Sequence, residues 1–351
     1  MHTDSLHVKF PEADGNFQPL SLTRSVLDFK AGIFTIREKW IRLAASQHHL
    51  ISFDDEKESV HEIKYDTFWI PSISTKLDQL QTLEPEVNGC SKIDRPWDIL
   101  PILCHSLTED ISILGKEIPT RNIPASVHVN GDHEIHLHEN CKLEPCMINT
   151  DDGPVLIDDG AAIMQGAMLR GPVYIGKNAT VKMGAMLYAG CSIGENCVIG
   201  GEVKNTIFHA NANKAHHGYI GDSYIGEFCN LGAGSSCSNL KNTAGKIKVW
   251  NMHMSQFEGA ANKLGIIMGD HVRTAINTAF NSGSVIGPFS NIFNLNGLSP
   301  KYIPPFSWGG SSDEKYKLEY IIKDTQRWQE MKGVVVSQST VDLIKHLYLK
   351  F

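Results

Sequence analysis

The sequence predicts a mixed architecture in three parts: a small α/β segment over residues 1–122, a parallel β-helix over 123–304 and a short helical cap over 305–351. Three observations predict it. An aliphatic residue recurs every six positions through the middle of the chain, the first 120 or so residues lack that period, and helix-capping signals return after Pro304.

The six-residue period is cleanest from Val155 to Val203. Its aliphatic positions are Ile157, Ile163, Leu169, Ile175, Val181, Leu187, Ile193 and Ile199. A small or β-branched residue stands two places earlier, at Val155, Ala161, Ala167, Val173, Ala179, Ala185, Cys191 and Cys197, and again at Val203. Strands alternate with period two and helices with about 3.6, so a sustained period of six is neither. It marks a hexapeptide coil, in which three short strands close a triangular rung and each aliphatic side chain stacks on its equivalent one rung later. Each such burial contributes roughly 1.5–3 kcal/mol. Gly176-Lys177-Asn178 and Gly194-Glu195-Asn196 supply corner residues that tolerate unusual backbone angles.

Followed outward, the coil extends over roughly residues 123–297. Leu137 and Leu143 keep the spacing upstream, with Asn149 to Gly153 as a polar loop, and Gly131-Asp132 is a turn at the coil entrance. Downstream, Ile225, Leu231, Met268, Phe280, Ile286 and Ile292 continue it after two breaks, near 205–217 and 246–265. Insertions in a solenoid map to loops on one face, often the binding face, so both breaks are where chemistry is expected.

Ahead of the coil, Leu6 to Phe10 reads as a strand. Arg24 to Ser46 has helical spacing, with Ile33, Ile36, Trp40 and Leu43 on one side, and its Arg24, Lys30, Arg37 and Lys39 supply positive charge that is just as well explained as a solvated face. Asp94 to Leu100 opens a second helix, with Pro96 near its start where the missing donor does no harm. In the tail, Ser311-Ser312-Asp313 caps a helix through about Lys332, and Ser339-Thr340 caps a second ending near Phe351. Tyr316, Tyr320, Ile321 and Trp328 are expected on one face, packed on the coil or on a neighbouring subunit.

Composition excludes several functions. A net charge of −7 with 42% hydrophobic residues gives no electrostatic basis for nucleic-acid binding. The start Met1-His2-Thr3-Asp4-Ser5 lacks the basic and apolar regions of a signal peptide, and no apolar run approaches the length of a membrane span, so a cytoplasmic location is the expectation. Of eight cysteines, Cys141, Cys191 and Cys197 fall at small inward positions and no pair has CxxC spacing, so neither disulfides nor a cysteine-bound metal are expected.

The run Lys214-Ala215-His216-His217-Gly218-Tyr219-Ile220-Gly221-Asp222, with Ile225-Gly226-Glu227, Asn230 to Gly234, Asn239 and Met268 to His271, resembles the acetyltransferase half of the bifunctional N-acetylglucosamine-1-phosphate uridyltransferases. Leu22-Thr23-Arg24, Thr35 to Trp40, Asn239-Leu240-Lys241-Asn242 and Phe306 to Gly310 resemble a subfamily described as sugar nucleotidyltransferases. The resemblance implies a reduced α/β nucleotidyltransferase-like N-terminal domain, a left-handed parallel β-helix of hexapeptide repeats and a homotrimer. It also implies acetyl-CoA lying between coils and a sugar phosphate held where subunits meet.

By the same resemblance, His216 is the general base, a role that suits an imidazole whose ordinary pKa is about 6.5. His217 takes that place if the alignment gap follows it. Tyr219 and Asn230 are expected to contact the sugar, Asn239 to orient substrate or histidine, and Lys204 and Lys246 to meet substrate; Arg170 and Lys182 are outward-facing candidates for a phosphate. His136, His138, His209 and His271 are read as structural.

Two departures from the family stand out. Trp250-Asn251-Met252-His253 has no counterpart there, so the segment at 246–265 is expected to reshape the acceptor pocket, change the acyl group or cap the trimer. Phe17 to Arg24 lacks the glycine-rich loop and Pro-Lys pair of a nucleotidyltransferase. The leading expectation is therefore an acyl-CoA-dependent N-acetyltransferase acting on an amino-sugar phosphate or nucleotide sugar. The alternatives are a sugar-1-phosphate nucleotidyltransferase using UTP or dTTP with Mg²⁺, and a noncatalytic sugar-nucleotide-binding or scaffold protein.

Overall fold

The computed structural model describes residues 5–10, 15–53, 62–64, 67–79, 88–293, 296–310 and 314–351. From His128 to Ile303 the chain winds as a parallel β-helix with three faces. The first face stacks His128–Asn130, Met147–Asn149, Met168–Arg170 and Met186–Leu187, followed by the strands that begin at Glu202 and Tyr219. The second runs from Ile135–Leu137 through Val155–Ile157 and Val173–Ile175 to Tyr302–Ile303. The third runs from Lys142–Leu143 through Ala162–Ile163 to Asn291–Ile292. All eight aliphatic hexad positions are at most 2% exposed, because stacking in register leaves no room for water in the shaft. All eight cysteines are free thiols, seven of them buried.

The two breaks differ in kind. On the second face Val155, Val173 and Cys191 are ladder neighbours 18 residues apart. The next step, Cys191 to Thr206, takes only 15, and Thr206 to Ser223 takes 17. The break at 205–217 is therefore a contraction, not the inserted loop expected. From Tyr224 to Ile267 the step is 43 residues, and the excess forms the antiparallel hairpin Lys248–Asn251 with Gln256–Gly259.

The second face carries apolar residues outside as well as inside. Leu156, Tyr174, Ile207, Tyr224, Ile267 and Val285 sit mid-strand, pointing away from the shaft, yet each is at most 6% exposed. They share one core cluster with Trp40, Ile99, Leu103 and Leu107 of the first segment. That segment contains a parallel sheet ordered β2 (Leu50–Phe53), β1 (Ser5–Lys9), β3 (Glu62–Lys64), with helices α1 (Ile36–Ser46) and α2 (Leu103–Glu117). The expected helix from Arg24 is shorter than its spacing suggests. Val26–Asp28 is a 3₁₀ turn, and α1 starts after Thr35, which forms a capping box with Glu38. α2 follows a 3₁₀ stretch over Pro96–Ile102.

The cations of this stretch are not all a solvated face. Lys39 and Asp110 pair in the core, where the carboxylate also accepts from the Ile33 amide at 2.8 Å. Arg24 donates to Asp270 at 2.5 Å and meets His209 Nδ1 at 2.6 Å, with Glu227 at 3.6 Å. His209 Nε2 in turn meets the Tyr224 hydroxyl at 2.8 Å. Lys30 donates to the Ile33 carbonyl at 3.2 Å, and Arg37, paired with Asp28, lies on the surface as expected.

One corner of the coil takes left-handed backbone at every described rung from Asn178 downward: Asn178, Asn196, Asn211, Phe228, His271, Phe289 and Phe306. The upper three are asparagines, which tolerate this conformation; the lower four stack as rings 5.0–5.4 Å apart. Burial pushes the sandwiched His271 imidazole down to about 3. An unfolded histidine protonates near 6.5, so between pH 6.5 and about 3 the unfolded chain binds a proton that the folded chain refuses, and stability falls with acidification by about 1.4 kcal/mol per pH unit. His271→Phe retains the ring stack and removes this slope. Urea midpoints measured at pH 7 and pH 5 are expected to differ less in the variant than in wild type.

The tail forms α3 (Leu318–Glu330) and α4 (Gln338–Lys350). The expected cap at 311–313 lies outside the described residues, and Lys317 precedes α3. α4 is capped by Ser337, two residues before the expected Ser339, whose place it takes by accepting at its hydroxyl from the Thr340 amide. Tyr316 and Ile321 are buried as expected, but Tyr316 precedes α3 and Tyr320 is 50% exposed. The tail packs on the lower third face, where Lys332 Nζ donates to Asn213 and to the Asn196 carbonyl, and Arg273 lies over Trp328.

Candidate active site

With the second face under the first segment and the lower third face under the tail, the first face is the open side of the coil. Along it Met147, Met168 and Met186 stack in register, and with Arg170, Tyr188 and His128 they line a groove of about 270 Å³. One rung lower the same face presents Glu202 and Lys204 above Tyr219 and Gly221.

His216 and His217 stand exposed at the corner where the third face turns into the first. Four residues make that turn between Val181 and Met186, and four again between Lys214 and Tyr219. On the rung between them, Gly200-Gly201 makes it alone, between Ile199 and Glu202. A side chain at Gly201, whose φ is +72°, would meet the carbonyl oxygens of His216 and Gly218 at 2.8 and 2.7 Å. The contraction thus sets the two-glycine corner in close backbone contact with the histidine corner below it.

At the far edge of the face lies a second cluster. Asn205, Asp222 and Asn239 recur 17 residues apart and stack at one corner. Asn205 donates to one Asp222 oxygen at 2.8 Å and Asn239 to the other at 2.5 Å. Asn239 also donates to the Tyr219 hydroxyl at 2.9 Å. Gly221 lets the Tyr219 ring lie along the face, since a Cβ there would sit 2.1 Å from the hydroxyl oxygen. Burial first, and then the Asp222 carboxylate, raise the Tyr219 hydroxyl well above its ordinary value, so it is a neutral donor and acceptor.

The structure therefore brings His216, Tyr219, Lys204 and, at the corner two rungs above, Lys182 to one surface. Asn239 is tied to Tyr219 and Asp222. Arg170 lies on the same face but forms an exposed ion pair with Asp152 at 2.5 Å. Asn230 lies on the third face, next to Asn213, so the same chain does not bring it to the others. Lys246 is exposed at the root of the hairpin, where its carbonyl accepts from Lys241.

The hairpin itself turns away from this face. Glu258 holds Arg95 through two bonds of 2.7 and 3.0 Å, Asn251 donates to Asn16 at 3.0 Å, and Trp250 stacks on Tyr302. It clasps the first segment around a cleft of about 580 Å³, so the segment expected to reshape the acceptor pocket is an interdomain strap. Asp222, Asn205 and the glycine corner were not singled out from sequence; the 17-residue recurrence and the Gly200-Gly201 pair were the signals for them. Of the histidines read as structural, His209 and His271 are buried, and His136 and His138 pair with Glu134 and Asp159. Among the described residues no group of three or more His, Cys, Asp or Glu could hold a metal ion, and no helix is long and apolar enough to cross a membrane.

Residues 172–204 match the bacterial transferase hexapeptide family (six repeats). That stretch of the coil is similar to a transferase hexapeptide repeat. Over 86 residues the chain is 41% identical to a bifunctional protein GlmU of Methanocaldococcus jannaschii, covering 24% of this chain and 21% of that protein. Over 92 residues it is 36% identical to a bifunctional sugar-1-phosphate nucleotidylyltransferase/acetyltransferase of Sulfurisphaera tokodaii, covering 26% and 23%. The chain thus spans less than a quarter of the length of either relative. Among solved structures, the acetyltransferase domain of PglB from Neisseria gonorrhoeae in complex with acetyl coenzyme A aligns over 81% of this chain and 96% of that one, at 15% identity and a TM-score of 0.21, too low to support an argument.

Proposed function

We propose that the protein is an acyl-CoA-dependent N-acetyltransferase for an amino-sugar phosphate or nucleotide sugar, with His216 as general base. The observation that carries this reading is the exposed histidine corner, at the edge of the open face that presents Tyr219 and Lys204. The partial identity to bifunctional acetyltransferases adds to it.

In this reading the acetyl thioester supplies the acyl carbon. His216 takes the proton from the sugar amine as its nitrogen attacks that carbon, and returns it to the thiolate as the carbon–sulfur bond breaks, leaving an amide and free CoA thiol. Tyr219, fixed by Asn239, orients the sugar. Lys204, Lys182 and Arg170 offer cationic contacts to phosphate groups, and the methionine groove suits a narrow, largely apolar arm. Asn230 faces another side of the coil, so it would reach this site only from a neighbouring subunit, as in a homotrimer of such coils. Lys246 is a peripheral substrate contact in the same scheme.

The test uses two incubations. Glucosamine-1-phosphate with acetyl-CoA is expected to release thiol, while N-acetylglucosamine-1-phosphate with UTP and Mg²⁺ is expected to release no pyrophosphate. Pyrophosphate without thiol would overturn the reading in favour of the nucleotidyltransferase.

A further inference from the structure

Beneath the histidine corner the shaft contains a residue that does not belong there. Down the third face the inward column reads Leu143, Ile163, Val181, Ile199, Lys214, and Ile199 pairs directly with Lys214. A lysine has thus taken a position that the rungs above fill with aliphatic side chains, and it is 2% exposed. Its ammonium donates to the Gly200 carbonyl at 3.0 Å and to the His216 carbonyl. Burial pushes Lys214 down to about 8, so near neutral pH it remains a charged donor. The two acceptors belong to different rungs: one to the two-glycine corner, the other to the histidine corner below it.

A charge in an aliphatic shaft is costly unless its donors are paired, and an aliphatic side chain would fill the column without that cost. Packing therefore does not explain Lys214. The contraction at Gly200-Gly201 removes two corner residues, and the His216 and Gly218 carbonyls converge there beside the Lys214 ammonium. Buried carbonyls need donors. An aliphatic side chain has none to offer, whereas a lysine reaches both corners at once.

We propose that Lys214 is a positioning residue that staples the contracted glycine corner to the turn carrying His216 and so fixes the orientation of the base. The inference rests on the acetyltransferase reading for its catalytic consequence and on geometry alone for the staple. It adds a role to a residue that touches neither substrate nor cofactor.

Lys214→Met matches the length and apolarity of the column. The staple predicts a KM for acetyl-CoA unchanged and a kcat lowered about 10²-fold, the effect of a base displaced by about 1 Å, with a melting temperature modestly lowered because two carbonyls lose their donor. Amide exchange at 215–218 should quicken at least tenfold by roughly the same loss of a buried tie. Lys214→Gln, which retains a shorter donor, should fall between wild type and Lys214→Met in both readouts. Wild-type kcat together with unchanged exchange in Lys214→Met overturns the proposal. So does a fall in melting temperature with no selective loosening at 215–218, which would make Lys214 a general stability residue. If the wild-type protein releases no thiol at all, the acetyltransferase reading fails, and the exchange measurement still decides the staple.

Discussion

His216→Ala is expected to lower N-acetylation by about 10²–10⁴-fold, the usual contribution of a positioned base, with the KM for acetyl-CoA little changed. His217→Ala is expected to stay within a few-fold of wild type. The two side chains are neighbours on one exposed corner, so the pair of variants separates a specific base from a generally histidine-rich surface. The physical asymmetry lies in the backbone: the His216 carbonyl is gripped from inside by Lys214, whereas the His217 carbonyl accepts from the Gly234 amide at 3.1 Å on the rung below. Thiol release measured at saturating substrate reads the result. Loss of activity in His217→Ala with retention in His216→Ala would reverse the assignment.

Arg24→Met is expected to destabilise the protein by about 3–5 kcal/mol, because removing one member of a buried ion pair strands the other. Arg24 is 14% exposed in its side chain and Asp270 is 7% exposed. Burial alone would raise the Asp270 carboxyl; the Arg24 guanidinium beside it outweighs that effect and holds the group below the usual carboxylate range. The sign of the pH dependence follows. The contribution is fully present above the unfolded carboxylate value near 4 and is lost as pH falls through the lower folded value. Urea midpoints at pH 7 read the loss. Arg24→Met with Asp270→Asn should recover part of it, since an amide oxygen can still accept from the Glu227 amide now 2.7 Å from Asp270. A destabilisation below about 1 kcal/mol for Arg24→Met would show that water reaches the pair.

Arg24 also shows where reading from sequence was most misleading. In a stretch with helical spacing a charged residue is assigned to solvent, because charges are rarely buried unless paired. Its partner is 246 residues away, and no local pattern announces that. Lys39 and Asp110, 71 residues apart, make the same point. Thr35 to Trp40 and Leu22 to Arg24, the motifs that carried the resemblance in the first segment, prove to be a helix cap, a buried ion pair and anchors onto the coil. None of them is placed on the open face.

The outward apolar series on the second face was legible and was overlooked. In Val155-Leu156-Ile157, Val173-Tyr174-Ile175 and Ile266-Ile267-Met268 the middle residue is as buried as its neighbours, so these strands are apolar on both sides. Such a strand must be covered on its outer face as well. The candidate site was partly legible: His216 and Tyr219 came from one continuous motif, whereas the corner stack of Asn205, Asp222 and Asn239 becomes visible only once the rung length is known to be 17. The insertion at 246–265 was legible as an interruption, but its direction was not, because an inserted length does not say which way it folds.

The sequence by itself determined the coil, since a six-residue period repeats one local geometry and each aliphatic residue finds its partner a fixed number of residues along the chain. It also marked the stretches where the period changes, one of which carries the candidate histidines. Which face stays open was decided only by tertiary structure. The first segment covers the second face, the tail covers the lower third, and the hairpin turns to the first segment through Arg95 and Glu258, partners 163 residues apart. Periodic contacts are written in the chain because their spacing is constant; contacts between unlike elements depend on shape and charge meeting at distances that no local pattern encodes.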